Sequence, residues 1–135
     1  MAHPQMFEDD DPVLARVREI ARALPGAQEK VSHGRPAFFT TKVFAYYGGA
    51  LKAAGAWVQH PRCVLVVPDP EDRSVLLEQE RAFVPAYLGA SGWIGVDLPP
   101  VGGAVERWAE IAELLDASYR RTAPLRLVGV LDERD

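Results

Sequence analysis

The sequence predicts an α+β fold in which helices pack on one face of an antiparallel sheet, and three observations predict it. One segment near each end carries apolar residues at helical spacing. Between them lie short runs rich in aromatic and β-branched residues. Those runs are separated by only a few residues, the spacing of hairpins, whereas parallel strands need long crossovers. A chain of 135 residues that is 48% hydrophobic and 25% charged has the size and composition of one globular domain with a real core. Residues 1–135 are therefore expected to form a single domain, with 1–10 and 132–135 as loose tails.

Asp11 followed by Pro12 reads as an N-cap and a proline at the first helical position. Val13, Leu14, Val17, Ile20, Ala21 and Leu24 then fall on one helical face, and Pro25-Gly26 ends the helix. Ala37 to Thr40 and Val43 to Tyr47 read as strands joined by Thr41-Lys42, and Gly48-Gly49 reads as a break. Residues 50–56 fit either a wide loop or a frayed strand. Trp57 to Gln59 and Cys63 to Val67 look extended, with His60-Pro61 interrupting them. Asp69-Pro70 opens a second helix, with Asp72 placed as in a capping box. Phe83 to Leu88 is a short extended piece, and Trp93 to Leu98 alternates like a half-buried strand. Val105, Trp108, Ile111, Ala112, Leu115 and Tyr119 mark the last helix, stopped by Pro124. Leu125 to Leu131 is expected to add an edge strand.

The net charge is −4, with a pI near 5.4, against a dedicated nucleic-acid binder, whose domains are usually basic overall. No apolar run is long enough for a membrane span, and the acidic start of the chain does not read as a signal peptide. Cys63 is the only cysteine, so no intramolecular disulfide is possible. These features suit a reducing, cytoplasmic setting.

Charge is nonetheless uneven. From Lys30 to Pro68 the chain holds Lys30, Arg35, Lys42, Lys52 and Arg62 with no Asp or Glu. The same stretch has His33, His60, Phe38, Phe39, Phe44, Tyr46, Tyr47 and Trp57. Lysines and arginines neutralise phosphates and exposed aromatics stack on bases, so Lys30, His33, Arg35, Lys42, Lys52 and Arg62 are candidate contacts to DNA or another polyanion. The alternative is that the aromatics are core and the charges decorate ordinary strands. In His33-Gly34-Arg35-Pro36 the glycine allows a positive φ and the proline stiffens the exit, presenting Arg35 on a rigid turn. Such an arginine recognises phosphate or carboxylate, or else pairs with an acid from another element.

His60-Pro61-Arg62-Cys63 lacks the second ligand pair of a zinc site, and Glu8 to Asp11 reads as an acidic helix start, so no metal is expected. The sequence carries no nucleophile elbow, Walker A loop or HExxH motif, and Cys63 sits in an apolar run without an activating base. The expectation is a protein that is not an enzyme, takes no cofactor and is monomeric.

Several short motifs occur in a telling order. They are Leu24-Pro25-Gly26, His33-Gly34-Arg35-Pro36-Ala37-Phe38, Lys42-Val43-Phe44-Ala45, Pro85-Ala86-Tyr87-Leu88-Gly89, Gly92-Trp93-Ile94-Gly95-Val96-Asp97-Leu98 and Ser118-Tyr119-Arg120. In order and spacing, over roughly residues 12 to 124, the chain resembles the MmcQ/YjbR family. The resemblance implies a CyaY/frataxin-like sandwich and a DNA-binding module with a double wing. Two departures remove positive charge. Val64 to Val67 lacks the lysine that many members carry there, and Gly89 to Gly92 lacks their basic or amide residues. The other reading of function is a protein-interaction or small-ligand module using the sheet face around Trp57, Tyr46 and Trp93. The two readings differ in whether the basic side chains converge on one face.

Overall fold

The computed structural model describes residues 4–134. Helix α1 spans Pro12–Arg22, and its N-cap Asp11 accepts a 2.9 Å hydrogen bond from the Val13 amide. Four strands follow: β1 Gln28–Ser32, β2 Arg35–Phe39, β3 Val43–Ala53 and β4 Ala56–Val66. Then come α2 Pro70–Leu77, β5 Ala82–Phe83, a 3₁₀ turn at Leu88–Ser91, β6 Ile94–Asp97, α3 Val105–Thr122 and α4 Leu125–Asp132. The strands form one six-stranded antiparallel sheet in the order β1-β2-β3-β4-β6-β5. The α+β class and the antiparallel sheet are as the sequence predicts.

Register explains which side chains face the helices. Phe38, Ala45, Val66 and Ile94 are successive cross-strand partners, and so are Tyr47, Val64 and Val96. All seven lie in the buried core with Leu14 and Val17 of α1 and Ile111, Leu115 and Tyr119 of α3. Each fully buried Leu, Val or Ile here contributes about 1.5–3 kcal/mol. The opposite face carries the row Ala37, Tyr46, Leu65, Gly95 and Phe83.

Phe44 breaks the simple alternation. Phe38 pairs with Ala45 and Phe39 with Val43, so Phe44 is the extra residue of a bulge. Its ring turns into the core edge-on to Tyr119, 5.4 Å between centroids. Tyr119 donates from its hydroxyl to the Pro25 carbonyl at 2.5 Å, closing the helix layer over the turn after α1.

Six expectations need correction. Phe83 to Leu88 is not one extended piece, because only Ala82–Phe83 pairs as a strand and the chain turns at Ala86 and Tyr87 into the 3₁₀ segment. Gly48-Gly49 does not break the strand, because β3 runs on to Ala53 with a second bulge at Gly48. His60-Pro61 does not interrupt β4. Tyr47 pairs with Val64 and Gly49 with His60, so Pro61 falls in the bulge, where its missing N–H costs no ladder bond. Leu125 to Leu131 is helix, with Leu127, Val128 and Leu131 on the core. The Asp69 side chain does not cap α2; it accepts from Arg121 Nη1 at 2.8 Å. Val105 of α3 is largely exposed, and buried Ser118 takes a place on the stripe instead.

The expected tails are in contact where they are described. Met6 N donates to the Gly34 carbonyl at 2.9 Å, and Arg18 donates to Asp9 and to Glu29 of β1. Asp132 receives Arg120 at 2.6 Å. Residues 1–3 and 135 lie outside the described residues. Among the described residues no helix is long and apolar enough to cross a membrane.

Candidate functional site

The β1–β2 turn is the first wall of the site. His33 and Gly34 have φ of 52° and 79°, the two left-handed positions of a type I′ hairpin turn. A side chain at Gly34 would collide with the Pro4 carbonyl, because the N-terminal segment crosses this turn and brings Met6 to the rim. Arg35 follows immediately and points to the face of the sheet away from the helices, beside Tyr46.

The bulge at Gly48 supplies the second wall. Gly48 has φ 86°, and a Cβ there would collide with Arg35 Nη1. Glycine is required on both counts, for the conformation and for the approach of the guanidinium. Beyond the bulge the β3–β4 hairpin curls so that Ala50, Trp57 and Gln59 line the same cavity as Arg35 and Tyr46. Tyr87 and Leu88 close the remaining side. The backbone there is tied to β3, since Ala86 N donates to the Ala50 carbonyl at 2.9 Å. The cavity holds about 750 Å³, within the range of small-molecule sites.

Arg35 is half-buried, and its Nη2 donates to Gln59 Oε1 at 2.9 Å. No carboxylate among the described residues pairs with it, so the expectation that an acid neutralises Arg35 is not met. Desolvation lowers its pKa from the ordinary arginine value, although a guanidinium remains charged at any physiological pH. Burial pushes the Tyr46 phenol up, opposed by its hydrogen bond to Ser32. Trp93 lies against Tyr46 at 5.7 Å between centroids.

The six basic candidates do not form one surface. His33 and Arg35 line the cavity. Lys30 lies in the Ala37 row of the same face, with Nζ 4.7 Å above the Phe39 ring. Lys52 lies on the hairpin, 5.9 Å from the Trp57 ring. Lys42 is exposed in the β2–β3 turn, at the far end of β3 from Lys52. Arg62 is paired with Asp11 at 3.2 Å, at the start of α1. The aromatics Trp57 and Tyr46 named for the other reading do converge, and Trp93 supports them from below.

Sequence reasoning missed Gln59 and Tyr87. Gln59 had no signal beyond its place in a strand. Tyr87 stands in the Pro85-Ala86-Tyr87-Leu88-Gly89 motif, but only the fold brings that loop opposite the hairpin.

Other polar features are less open. His60 Nδ1 lies 2.7 Å from Asp97 Oδ1, and the imidazole is stacked on Phe83 at 3.9 Å between centroids. Cys63 is fully buried, and burial pushes its thiol up. Among the described residues no three His, Cys, Asp or Glu side chains gather as a metal site. A second groove of about 410 Å³ runs between α2 and α3, lined by Asp69, Asp72, Glu110 and Glu113 together with Arg81 and Arg107, and its Arg81 is paired with Glu110.

None of the curated proteins matches this chain. The YjbR family model matches residues 22–121, a span that contains the whole sheet and, apart from Met6, every wall of the cavity. The chain therefore belongs to the MmcQ/YjbR family.

Proposed function

We propose that the protein is a non-catalytic binding module for small anionic molecules and that its site is the cavity between the β1–β2 turn, the β3–β4 hairpin and the Tyr87 loop. The observation that carries this reading is Arg35. A half-buried guanidinium without a carboxylate partner, steadied by Gln59 at the wall of an aromatic-lined cavity, is a receptor for an anion. The non-catalytic part rests on the buried thiol of Cys63 and on the His60 ring being covered by Phe83.

A second reading is binding of single-stranded nucleic acid at the mouth of the same cavity. Trp57 and Tyr87 are 49% and 85% exposed, and Lys52 lies beside Trp57, so bases could stack while Lys30, Arg35 and Lys52 meet phosphates. Lys42 and Arg62 stand apart from that path, which favours the smaller ligand.

The test is a thermal-unfolding screen of wild type and Arg35→Gln with phosphate, citrate and aromatic carboxylates, beside anisotropy of labelled single-stranded and duplex DNA at low and physiological salt. An anion that raises the wild-type midpoint and not that of Arg35→Gln supports the small-anion reading. Micromolar DNA binding that falls steeply with salt, with no effect of any small anion, overturns it in favour of the second.

A further inference from the structure

We propose that the ligand of this cavity is a planar aromatic carboxylate, its ring taken between Trp57 and Tyr87 and its carboxylate held by Arg35. This rests on the small-anion reading above and names the class of anion.

Three observations carry it. The first is the aromatic pair. Trp57 and Tyr87 are both exposed, yet their ring centroids are 6.2 Å apart with a 36° tilt. A planar ring sandwiched between two others needs about 7 Å, two contact distances of about 3.5 Å. At that distance and tilt the two rings meet as an ordinary tilted aromatic pair, so a third ring enters by parting the hairpin tip from the Tyr87 loop. An intervening ring would bury a face of both.

The second is the backbone at Tyr87. Its φ of 65° and ψ of −62° form the strained kind of γ-turn, closed by a 2.7 Å hydrogen bond from Leu88 N to the Ala86 carbonyl. A bulky non-glycine residue in that conformation is strained and persists where the surroundings impose it. Here the bond from Ala86 N to Ala50 pins the loop to β3, so the strain holds Tyr87 opposite Trp57. Nothing in the core requires this tyrosine, whose side chain is the second most exposed of the large apolar residues in the described chain, after Leu125.

The third is charge. Among the described residues Arg35 is the only Arg or Lys that lines the cavity, with His33 beside it. Phosphate groups are usually met by several cations, by a helix N-terminus or by a glycine-rich run of amides. A single guanidinium, already giving one nitrogen to Gln59, matches one negative charge. The walls offer large apolar and aromatic area and few polar groups, which suits a ring system with one carboxylate.

The experiment is isothermal titration of the full chain with 1-naphthoate, its neutral amide 1-naphthamide, and inorganic phosphate. The expected result is saturable binding of naphthoate, about tenfold weaker binding of naphthamide, and about tenfold loss of naphthoate affinity in Arg35→Gln with little change for naphthamide. Trp57→Ala should weaken both ring compounds. Tyr87→Gly should weaken both as well while leaving the unfolding midpoint equal or higher, since glycine relieves the turn. Equal affinity for naphthoate and naphthamide overturns the carboxylate assignment. Binding of phosphate with naphthoate silent overturns the aromatic-carboxylate proposal but leaves the anion site standing. Silence of both overturns the site itself. If Arg35→Gln proves unfolded by circular dichroism, the naphthoate–naphthamide comparison in wild type decides.

Discussion

The Tyr47 hydroxyl donates to Asp11 Oδ2 at 2.6 Å, while Oδ1 of the same carboxylate accepts the Val13 amide and caps α1. A strand residue of the core and the cap of the first helix are thus joined through one side chain, with Arg62 adding a contact from outside. Burial alone would push the Asp11 carboxyl up. The hydrogen bonds from Tyr47, Arg62 and the Val13 amide outweigh it and hold the group below the usual carboxylate value.

Asp11→Ala should therefore cost about 2–4 kcal/mol: about 1 for the lost cap and about 1–3 for the stranded Tyr47 hydroxyl. Tyr47→Phe should cost about 1 kcal/mol. The sign of the pH dependence follows from the lowered folded pKa. The stabilisation is complete above the value of an unfolded aspartate, about 3.9, and is lost as pH falls through the lower folded value. Urea denaturation should give a constant gap between wild type and Asp11→Ala from neutral pH to about 5 and a narrowing gap below about 4. A gap that persists unchanged at the acid end would remove the ionised carboxylate from the account.

Ser118 is the one buried polar side chain of the core among the described residues, and it stitches three elements together. Its hydroxyl donates to the Phe44 carbonyl at 2.6 Å and accepts from the Val67 amide at 2.9 Å. Ser118→Ala strands both backbone groups, so a loss of about 2–3 kcal/mol is expected in the same denaturation assay. A loss below about 0.5 kcal/mol, the size of an ordinary surface change, would mean that water replaces the hydroxyl.

Gly48→Ala tests the link between fold and site. The substitution meets a φ of 86° and the Arg35 guanidinium together. It should lower stability by more than about 1 kcal/mol and weaken any Arg35-dependent ligand as well. Ala53→Ser, exposed near the end of the same strand and outside the cavity lining, is the control. If the Gly48→Ala protein binds as wild type does, Arg35 is not positioned by the bulge.

Helices α1 and α3 and the core halves of β2, β3 and β4 are legible because their apolar residues repeat at the right period. β1 is not, and the reason is specific. Its inward position is Glu29, which faces α1 and is satisfied by Arg18 at 2.8 Å, so the strand shows a charge where a hydrophobic residue is expected. α4 misleads in the other direction. Leu125, Leu127, Gly129 and Leu131 alternate like a strand, yet Leu127 and Leu131 also stand one helical turn apart, and both reach the core. Of the site, a rigid turn at Gly34 and the arginine it presents can be read from His33-Gly34-Arg35-Pro36. The cavity cannot, because Trp57 and Tyr87 are distant in sequence and meet only through the bulge and the γ-turn.

The bulge at Gly48 also divides one long hairpin into two mechanical regimes. On one side Ala45, Tyr47, Val64 and Val66 are locked beneath the helices, so their amides exchange with solvent only when the whole molecule opens. On the other side residues 52–59 are exposed, and their ladder can part without disturbing the core. Amide exchange should therefore be faster at residues 52–59 than in the core half of the hairpin, and an occupied cavity would be read as slowed exchange at the tip.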